Sequence, residues 1–298
     1  MNILIVGGAG FLGSHLVDRL LAEGNKVDVV DDLSSGSLAN LAEARAAGGA
    51  LKIHTLDVLA EEFAALAAMR PPDVLYHLAW LAPGRGSPGQ AGRAVQGMLA
   101  VLEAARMQGT KVVTVLPGAA LYGDVPLREL PIKEGHSWAP ISVHGIIAKA
   151  VVDLLNMYRA DHTVEFTALA MSTVYGPRQR ADGGVVGSFA HALRTDSSPL
   201  IHGDGRQTRD FLYVDDAVDA LVRAASRGGG LVVNIGSGIG TSIRDLWTLM
   251  AGPSAQDPVL GPRRTNDISW FALSPTRARI HLAWAPFTDL HVGLRSLG

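Results

Sequence analysis

The first apolar segment of the chain runs directly into a glycine-rich turn, and this junction constrains the fold more than any other feature. Residues Ile3–Val6 form a short apolar run, and residues 7–13 read Gly-Gly-Ala-Gly-Phe-Leu-Gly. Gly7, Gly10 and Gly13 give the spacing GxxGxxG ahead of a helix-length segment. Glycines at this spacing permit a tight turn, close approach of the backbone to a diphosphate, and close packing of helix on strand. The strand–turn–helix context predicts a dinucleotide site.

Short apolar runs alternate with helix-length segments through the first two-thirds of the chain. Continuous apolar runs are typical of strands buried on both faces of a parallel sheet. The alternation predicts right-handed βαβ crossovers and an α/β fold with a doubly wound parallel sheet. The expected strands are Ile3–Val6, Val27–Val30, Leu51–His54, Val74–Leu78, Val112–Leu116 and Phe166–Ala170. The expected helices are Phe11–Ala22, Leu38–Ala47, Ala60–Met69, Gln90–Gln108 and Ala148–Arg159.

The last third of the chain is less regular and richer in Gly, Pro and Arg, which indicates a smaller C-terminal substrate-binding lobe. We expect residues 1–172 to form the nucleotide-binding domain and residues 173–298 to form mainly the substrate lobe. The segment at about 208–235 is expected to return to the first domain. A length of 298 residues accommodates this division, since domains average roughly 150 residues.

Composition argues against several classes of protein. Lys plus Arg total 26 and Asp plus Glu total 28, a net charge of −2 that predicts neither a nucleic-acid partner nor a membrane partner. The absence of cysteine rules out disulfides and thiolate sites, and the ten histidines show no metal-ligand spacing, so no metal is expected. Apolar stretches fall short of the roughly 18 residues that span a bilayer. The N-terminal residues reach glycine too early for a signal peptide, so a cytoplasmic location is expected.

Asp31 ends the second expected strand, at the place where a carboxylate would accept both ribose hydroxyls of an adenosine. A carboxylate there repels a 2′-phosphate, and no arginine follows within the next several residues. The position therefore favours NAD over NADP.

Together with motifs that follow in order, these residues make the chain resemble the extended short-chain dehydrogenases/reductases with their Rossmann domain. Within them it is similar to the NAD-dependent nucleotide-sugar epimerase/dehydratase group typified by UDP-glucose 4-epimerase. The resemblance covers nearly the whole chain. Its motifs are GGAGFLGSHL at 7–16, VVDDLSSG at 29–36, LDV at 56–58, YHLA at 76–79, LYGD at 121–124, TVYGPR at 173–178, GDGRQTRDF at 203–211 and NIGSG at 234–238.

The resemblance implies positions for an NAD cofactor. Phe11 and Leu12 would lie against the pyrophosphate, and Asp57 with Val58 would lie beside the adenine. Leu78 to Leu81 would pass the nicotinamide-side ribose and phosphate. The full set of expected cofactor residues is Gly7, Gly10, Phe11, Leu12, Gly13, Asp31, Asp32, Ser34, Ser35, Asp57, Val58, Leu78, Ala79, Trp80 and Lys149.

The resemblance also implies a nucleotide-diphosphate sugar as substrate, with a UDP-sugar as the first candidate. Arg209 and Arg264 resemble the arginines that hold the diphosphate, since a guanidinium fork matches phosphate oxygens. Asp267 resembles the acid that meets the ribose of the nucleotide. Thr173 stands in the substrate site where the family has an Asn, and Ala94 replaces another Asn.

A homodimer is expected because the family commonly pairs the two helices that correspond here to Gln90–Gln108 and Ala148–Arg159. Both segments carry more apolar residues than one sheet-facing stripe requires. These residues are Val95, Met98, Leu99, Val101 and Leu102 on the first segment, and Val151, Val152, Leu154 and Leu155 on the second.

The catalytic set of the family is a Ser or Thr, a Tyr and a Lys, with the last two as YxxxK on one helix. In this chain the segment reads Pro-Ile-Ser-Val-His-Gly-Ile-Ile-Ala-Lys at 140–149. Aligned from its left, His144 takes the Tyr position and Ala148 that of Lys. Aligned from its right, Lys149 and Asp153 fall into register and Gly145 replaces Tyr.

Helix geometry favours the right-hand alignment. Positions i and i+4 differ by about 40° around a helix, whereas i and i+5 differ by about 140°. His144 and Lys149 therefore do not share a face of an unbroken helix. The apolar positions downstream predict that Lys149 keeps its register and that the extra residue is absorbed at the helix start, leaving His144 near the position of the tyrosine.

The serine position holds Gly118, four residues before Tyr122. Ala119 and Ala120 follow, where the 4,6-dehydratases of the family carry an Asp-Glu pair and the decarboxylases carry a Glu. Both of those reactions are therefore disfavoured.

Three hypotheses stay open at this point. The chain is an NAD-dependent nucleotide-sugar epimerase or related oxidoreductase in which His144 or another group replaces Tyr, because a neutral imidazole accepts a proton near neutral pH. Alternatively, the same scaffold carries altered chemistry on an unusual sugar or a natural product. The third hypothesis is a non-catalytic protein that binds NAD or a nucleotide sugar.

Overall fold

A computed structural model of the chain describes residues 1–80, 88–252 and 255–297. Its strands are β1 Asn2–Val6, β2 Lys26–Asp31, β3 Leu51–Thr55, β4 Val74–His77, β5 Lys111–Pro117, β6 Phe166–Met171, β7 Thr173–Tyr175, β8 Leu200–His202, β9 Thr208–Tyr213, β10 Leu231–Ile235, β11 Gly240–Ser242 and β12 Val259–Gly261. Its helices are α1 Phe11–Ala22, α2 Ala42–Ala46, α3 Glu61–Met69, α4 Pro88–Gln108, α5 Gly118–Tyr122, α6 Val143–His162, α7 Val185–Arg194, α8 Val214–Ala224, α9 Ile243–Met250, α10 Thr276–His281 and α11 Leu290–Arg295.

Seven parallel strands form the central sheet in the order β10-β6-β5-β4-β1-β2-β3. The expected α/β fold with a doubly wound parallel sheet is therefore confirmed. Alternate residues of β1 enter two different cores, with Ile3 and Ile5 on one face and Leu4 and Val6 on the other. Burial on both faces explains why the strand is a continuous apolar run in the sequence.

Two expected helices differ from the structure. The segment expected as Leu38–Ala47 is a short 3₁₀ turn at Leu38–Leu41 followed by α2. The helix expected from Ala148 starts at Val143, because the Oγ of Ser142 accepts a hydrogen bond from the backbone N–H of Gly145 and caps the first turn.

The C-terminal third builds two small sheets, β11-β9-β7 and β12-β8, around a separate apolar core. Tyr175, Phe189 and Trp247 are among the side chains of that core. Between these sheets the chain returns to the central one, where α8 packs on α1 and β10 pairs with β6. A division of the chain at residues 172 and 173 stays a prediction.

The neighbouring strands β1 and β4 mark the point where the strand order reverses, and ligands of such folds bind outside the carboxyl ends of the strands there. Within the described ranges, no helix combines the length and apolarity needed to cross a bilayer. The cytoplasmic location expected from the sequence stays a prediction.

Candidate functional site

A cavity of about 500 Å³ lies at the carboxyl ends of β1, β2, β3 and β4. Eleven residues that the sequence assigned to the cofactor line it, and other lining residues come from α4. The eleven are Gly7, Gly10, Asp31, Asp32, Ser34, Ser35, Asp57, Val58, Leu78, Ala79 and Trp80.

 The structure thus brings most of the predicted cofactor residues together in one place. Phe11, Leu12 and Gly13 open α1 beside it, and Lys149 lies on α6 outside its described lining.

The glycine turn meets the steric demands of a dinucleotide cradle. Gly7 has a φ of +85°, and a Cβ there would lie 2.8 Å from the backbone nitrogen of Ala79. A Cβ on Gly13 would lie 2.2 Å from the carbonyl oxygen of Gly7. Side chains at these two positions would therefore open the turn, whereas glycine lets α1 start tightly against β1. The N-terminus of α1 then faces the cavity, where it favours a diphosphate.

Asp31 is buried between the turn and the segment that follows β2. Its Oδ2 accepts a hydrogen bond from the backbone N–H of Ala9 at 2.8 Å, and its Oδ1 accepts one from Leu33 at 2.9 Å. Burial raises the pKa of Asp31, against the opposing effect of these two hydrogen bonds. Each carboxylate oxygen accepts one backbone bond and has a second lone pair, which suits the two hydroxyls of a ribose.

Arg93 is a cavity residue that the sequence reasoning missed. It lies on α4, and its guanidinium forms a hydrogen-bonded ion pair with the carboxylate of Asp57. Burial acts to raise the pKa of Asp57, but the hydrogen bonds from Leu59 N–H and Arg93 outweigh burial and lower it. The sequence signal was an arginine directly before Ala94, the position where the family has an Asn.

Two aromatic residues of the cavity carry buried polar atoms. His77 is 3% exposed, and burial lowers its pKa to about 4. Its Nδ1 and the indole Nε1 of Trp80 have no hydrogen-bond partner among the described residues. Trp80, which was expected beside the cofactor, lines the cavity. Leu81, which was also expected beside the cofactor, lies outside the described residues.

A second cavity, of about 660 Å³, brings together all four predicted substrate residues: Thr173, Arg209, Arg264 and Asp267. Arg209 donates to Asp267 at 2.6 Å and to the backbone carbonyl oxygens of Thr208 and Ile268. The ion pair holds Arg209 in place, whereas Arg264 is exposed on the rim. His202 and Gln207 also line this cavity and were not singled out from the sequence.

The segment expected to carry catalysis is helical from its first residues. Helix α6 is continuous from Val143, and the cap by Ser142 makes His144 part of its first turn. Lys149 lies five residues later, about 140° further around the axis, so the two side chains do not share a face of the helix. That His144 lies near the position of the family's tyrosine stays a prediction.

Close backbone contacts surround Gly145 and Gly118, the two glycines that the sequence alignment assigned to the Tyr and Ser positions. A Cβ on Gly145 would lie 2.0 Å from the carbonyl oxygen of Ala120, so α6 packs closely on α5 there. A Cβ on Gly118 would lie 2.7 Å from the carbonyl oxygen of Met171. One hydroxyl does lie nearby: Ser172 follows Met171, its side chain is 9% exposed, and its Oγ has no partner within the described part of the chain.

No group of three or more His, Asp or Glu residues in the described ranges is arranged to hold a metal ion.

Comparison with known proteins covers the whole chain. Residues 3–236 match the model of the NAD-dependent epimerase/dehydratase family. The chain is 38% identical to the UDP-glucose 4-epimerase of Mycolicibacterium smegmatis over 308 residues, which cover 99% of this chain and 96% of that protein. Its structure is similar to that of the Thermotoga maritima UDP-glucose 4-epimerase solved with UDP-glucose, with a TM-score of 0.92, 34% identity and coverage of 100% and 97%. The Thermus thermophilus UDP-glucose 4-epimerase solved with NAD gives a TM-score of 0.90, 28% identity and the same coverage.

Proposed function

The chain belongs to the NAD-dependent epimerase/dehydratase family, and on that basis we propose that it epimerises a nucleotide-diphosphate sugar, with a UDP-sugar as substrate. The observation that carries this proposal is the second cavity, where Thr173, Arg209, Arg264 and Asp267 meet. Two guanidiniums and a carboxylate in one cavity suit a diphosphate joined to a ribose. Two similar proteins whose structures are known are named as UDP-glucose 4-epimerases.

NAD is the cofactor of the family, and the first cavity fits it. The glycine turn and the start of α1 would hold the pyrophosphate, and Asp31 would accept the ribose hydroxyls. Bound NAD would supply a reversible hydride acceptor, which is the chemistry needed to invert a hydroxyl-bearing carbon of the sugar. The residues of this chain bind and orient the two ligands and move the proton of the sugar hydroxyl.

His144 and Lys149 have separate roles in this proposal. Because they diverge by about 140° around α6, Lys149 does not act on the group that His144 contacts. His144 exchanges the proton of the sugar hydroxyl, since a neutral imidazole needs no neighbouring cation to accept a proton. Lys149 holds the ribose next to the nicotinamide. Gly145 and Gly118 replace the Tyr and Ser of the family.

The test is a direct assay of the purified protein with UDP-glucose and other UDP-sugars. Epimerisation predicts formation of the 4-epimer, with transient absorbance of reduced nicotinamide during turnover. Arg264→Ala is expected to weaken UDP-sugar binding and to leave NAD binding unchanged. Arg263→Ala is the matched control, because the neighbouring Arg263 donates to Ser269 Oγ and lies outside the described cavity lining.

Two results would contradict the proposal. One is a protein that binds NAD and UDP-sugars without ever reducing the nicotinamide. The other is equal loss of UDP-sugar affinity in Arg263→Ala and Arg264→Ala, which would remove the assignment of the diphosphate to the second cavity.

A homodimer through α4 and α6 is also part of the proposal. Its interface uses mainly other residues of these helices than the ones the sequence predicted. Six of the nine predicted apolar residues are buried within the chain itself, because α4 packs against α6: Met98, Val101, Leu102, Val151, Val152 and Leu155. Ile146 and Met157 are 58% and 43% exposed on α6, and they lie about 20° apart around its axis. Val95, Leu99 and Leu154 are half-buried beside them.

Light scattering of the wild type at micromolar concentration is expected to give the mass of two chains. Ile146→Asp is expected to give monomers, because it places a charge in an apolar interface. Ile280→Asp, at an exposed isoleucine on α10, is the control that should stay dimeric. A monomeric wild type would overturn this part of the proposal.

A further inference from the structure

The first cavity has an uneven distribution of charge. Its lining contains three carboxylates, Asp31, Asp32 and Asp57, and among the described residues that border it Arg93 is the one Arg or Lys. Arg93 reaches the cavity from α4, a helix that supplies none of the motifs by which the cofactor site was predicted. Its side chain is 54% exposed and that of its partner Asp57 is 36% exposed.

An ion pair this exposed contributes little to the stability of the fold. Exposed pairs of Arg and Asp are typically worth about 0–1 kcal/mol, because water screens them and two side chains lose rotamer freedom. Its location inside the cofactor cavity therefore points to a role with a ligand. The pair fixes the plane of a guanidinium at the wall of the cavity.

Strand order identifies the part of the cofactor that this wall meets. The strands run β4-β1-β2-β3; the glycine turn follows β1, Asp31 ends β2 and Asp57 follows β3. A diphosphate at the turn and a ribose on Asp31 leave the base of the adenosine over the end of β3. Arg93 is held at that end by Asp57, while Trp80 marks the opposite end, after β4.

We propose that Arg93 is a cofactor-binding residue that lays its guanidinium against the adenine ring of NAD, with Asp57 as the residue that positions it. A guanidinium is planar and weakly hydrated, so it stacks on an aromatic face while its edge still donates to a carboxylate. The adenine is thereby covered on the side that faces α4, and the cation offsets part of the negative charge of the cavity.

The experiment measures the affinity of the dialysed full-length protein for NAD, AMP and nicotinamide mononucleotide by titration calorimetry. The two mononucleotides share a ribose and a phosphate and differ in the base. Arg93→Ala is expected to weaken NAD and AMP by roughly 3- to 30-fold, the range that a cation over an aromatic ring provides. Binding of nicotinamide mononucleotide is expected to stay unchanged.

Three further variants sharpen the result. Arg93→Lys is expected to recover only part of the affinity for NAD and AMP, because an ammonium keeps the attraction of a cation to the ring but not the planar stacking. Asp57→Asn combined with Arg93→Ala is expected to be less than additive, since the two residues act as a unit. Arg106→Ala is the matched control, because Arg106 lies on the same helix in an exposed pair with Glu103. Melting temperatures without ligand verify that each variant is folded.

Several outcomes would overturn the inference. Unchanged NAD binding by Arg93→Ala would mean that the ion pair of Arg93 with Asp57 does not contribute to cofactor binding. Tighter binding would mean that Arg93 hinders it. Wild-type affinity of Arg93→Lys, or loss of nicotinamide mononucleotide binding equal to that of AMP, would mean that Arg93 contacts a phosphate rather than the adenine. None of these measurements depends on epimerase activity, so the inference and the proposed function fail separately.

Discussion

The cofactor cavity and the catalytic segment use glycine in opposite ways. In the glycine turn, Gly10 faces a cavity of about 500 Å³, and its neighbours keep the turn tight enough for α1 to begin there. In the catalytic segment, the spaces beside Gly118 and Gly145 are taken by carbonyl oxygens of Met171 and Ala120. One region leaves room for a ligand, whereas the other brings the chain against itself.

The difference shows that the two halves of the site tolerate different changes. The cofactor region has the sequence motifs of its family, and two local features, the glycine turn and the carboxylate of Asp31, are enough to form it. In the catalytic segment, Gly118 and Gly145 make close backbone contacts, so a larger side chain at either position needs movement of α5 or β6. We infer that the chemistry of this chain depends on groups other than those two positions.

The largest expected effect tests the catalytic segment. His144→Ala is expected to lower turnover of the true substrate by roughly 10²–10⁴-fold, or about 3–5 kcal/mol in the activation free energy, because the proton loses its acceptor. NAD affinity should be unchanged. His162→Ala, at the far end of α6, is the control. Turnover of His144→Ala equal to that of the wild type would place the proton transfer elsewhere.

The next effect concerns the cofactor region and its dependence on pH. Burial lowers the pKa of His77 to about 4, whereas an unfolded histidine titrates near 6.5. As the pH falls, His77 therefore takes up a proton in the unfolded chain before it does so in the folded one. The stability that the neutral, buried His77 allows is complete above about pH 6.5 and is lost as the pH falls toward 4. Between pH 7.5 and 4.5 we expect a loss of about 2–3 kcal/mol in the free energy of unfolding.

Comparison with His77→Gln isolates this contribution from other buried groups. Burial raises the pKa of Asp31, Asp210 and Asp216, so their protonation acts in the opposite direction. Denaturant unfolding of both proteins at the two pH values gives the difference. An equal pH dependence in wild type and His77→Gln would show that His77 titrates normally.

Gly145→Ala tests whether backbone contact in the catalytic segment is a structural requirement. A Cβ placed 2.0 Å from the Ala120 carbonyl oxygen must displace α5 or α6, and we expect a cost of about 2–3 kcal/mol in the free energy of unfolding. Gly135→Ala is the control, since a Cβ there meets nothing within 4 Å. If both variants were equally stable, the close packing of α6 on α5 would be dispensable.

The smallest effect tests the carboxylate of the cofactor region. Asp31→Ala is expected to weaken NAD binding by about 1–3 kcal/mol, because charge-assisted hydrogen bonds to the ribose are lost. The discrimination against NADP should fall as well, since the repelling charge is removed. Titration calorimetry measures both affinities. A wild type that bound NADP as tightly as NAD would remove the basis for this assignment.

Sequence reasoning succeeded where a feature is local. The six predicted strands correspond to β1–β6, and the glycine turn and Asp31 lie where the sequence placed them, after β1 and at the end of β2. Helix α6 shows the limit, because its start at Val143 depends on the cap by Ser142 rather than on apolar period. Arg93 shows another limit, since its place before Ala94 does not indicate that it reaches Asp57.

The sequence alone determined the alternation of the first six strands with helices and the glycine turn after β1, because apolar runs and glycine spacing reflect requirements that neighbouring residues meet locally. Tertiary structure decided the rest. It paired Arg93 with Asp57 across 36 residues and Arg209 with Asp267 across 58, and it brought Met171 against Gly118. Such contacts depend on how whole elements pack, and packing is a property of distant segments in combination rather than of any short stretch of chain.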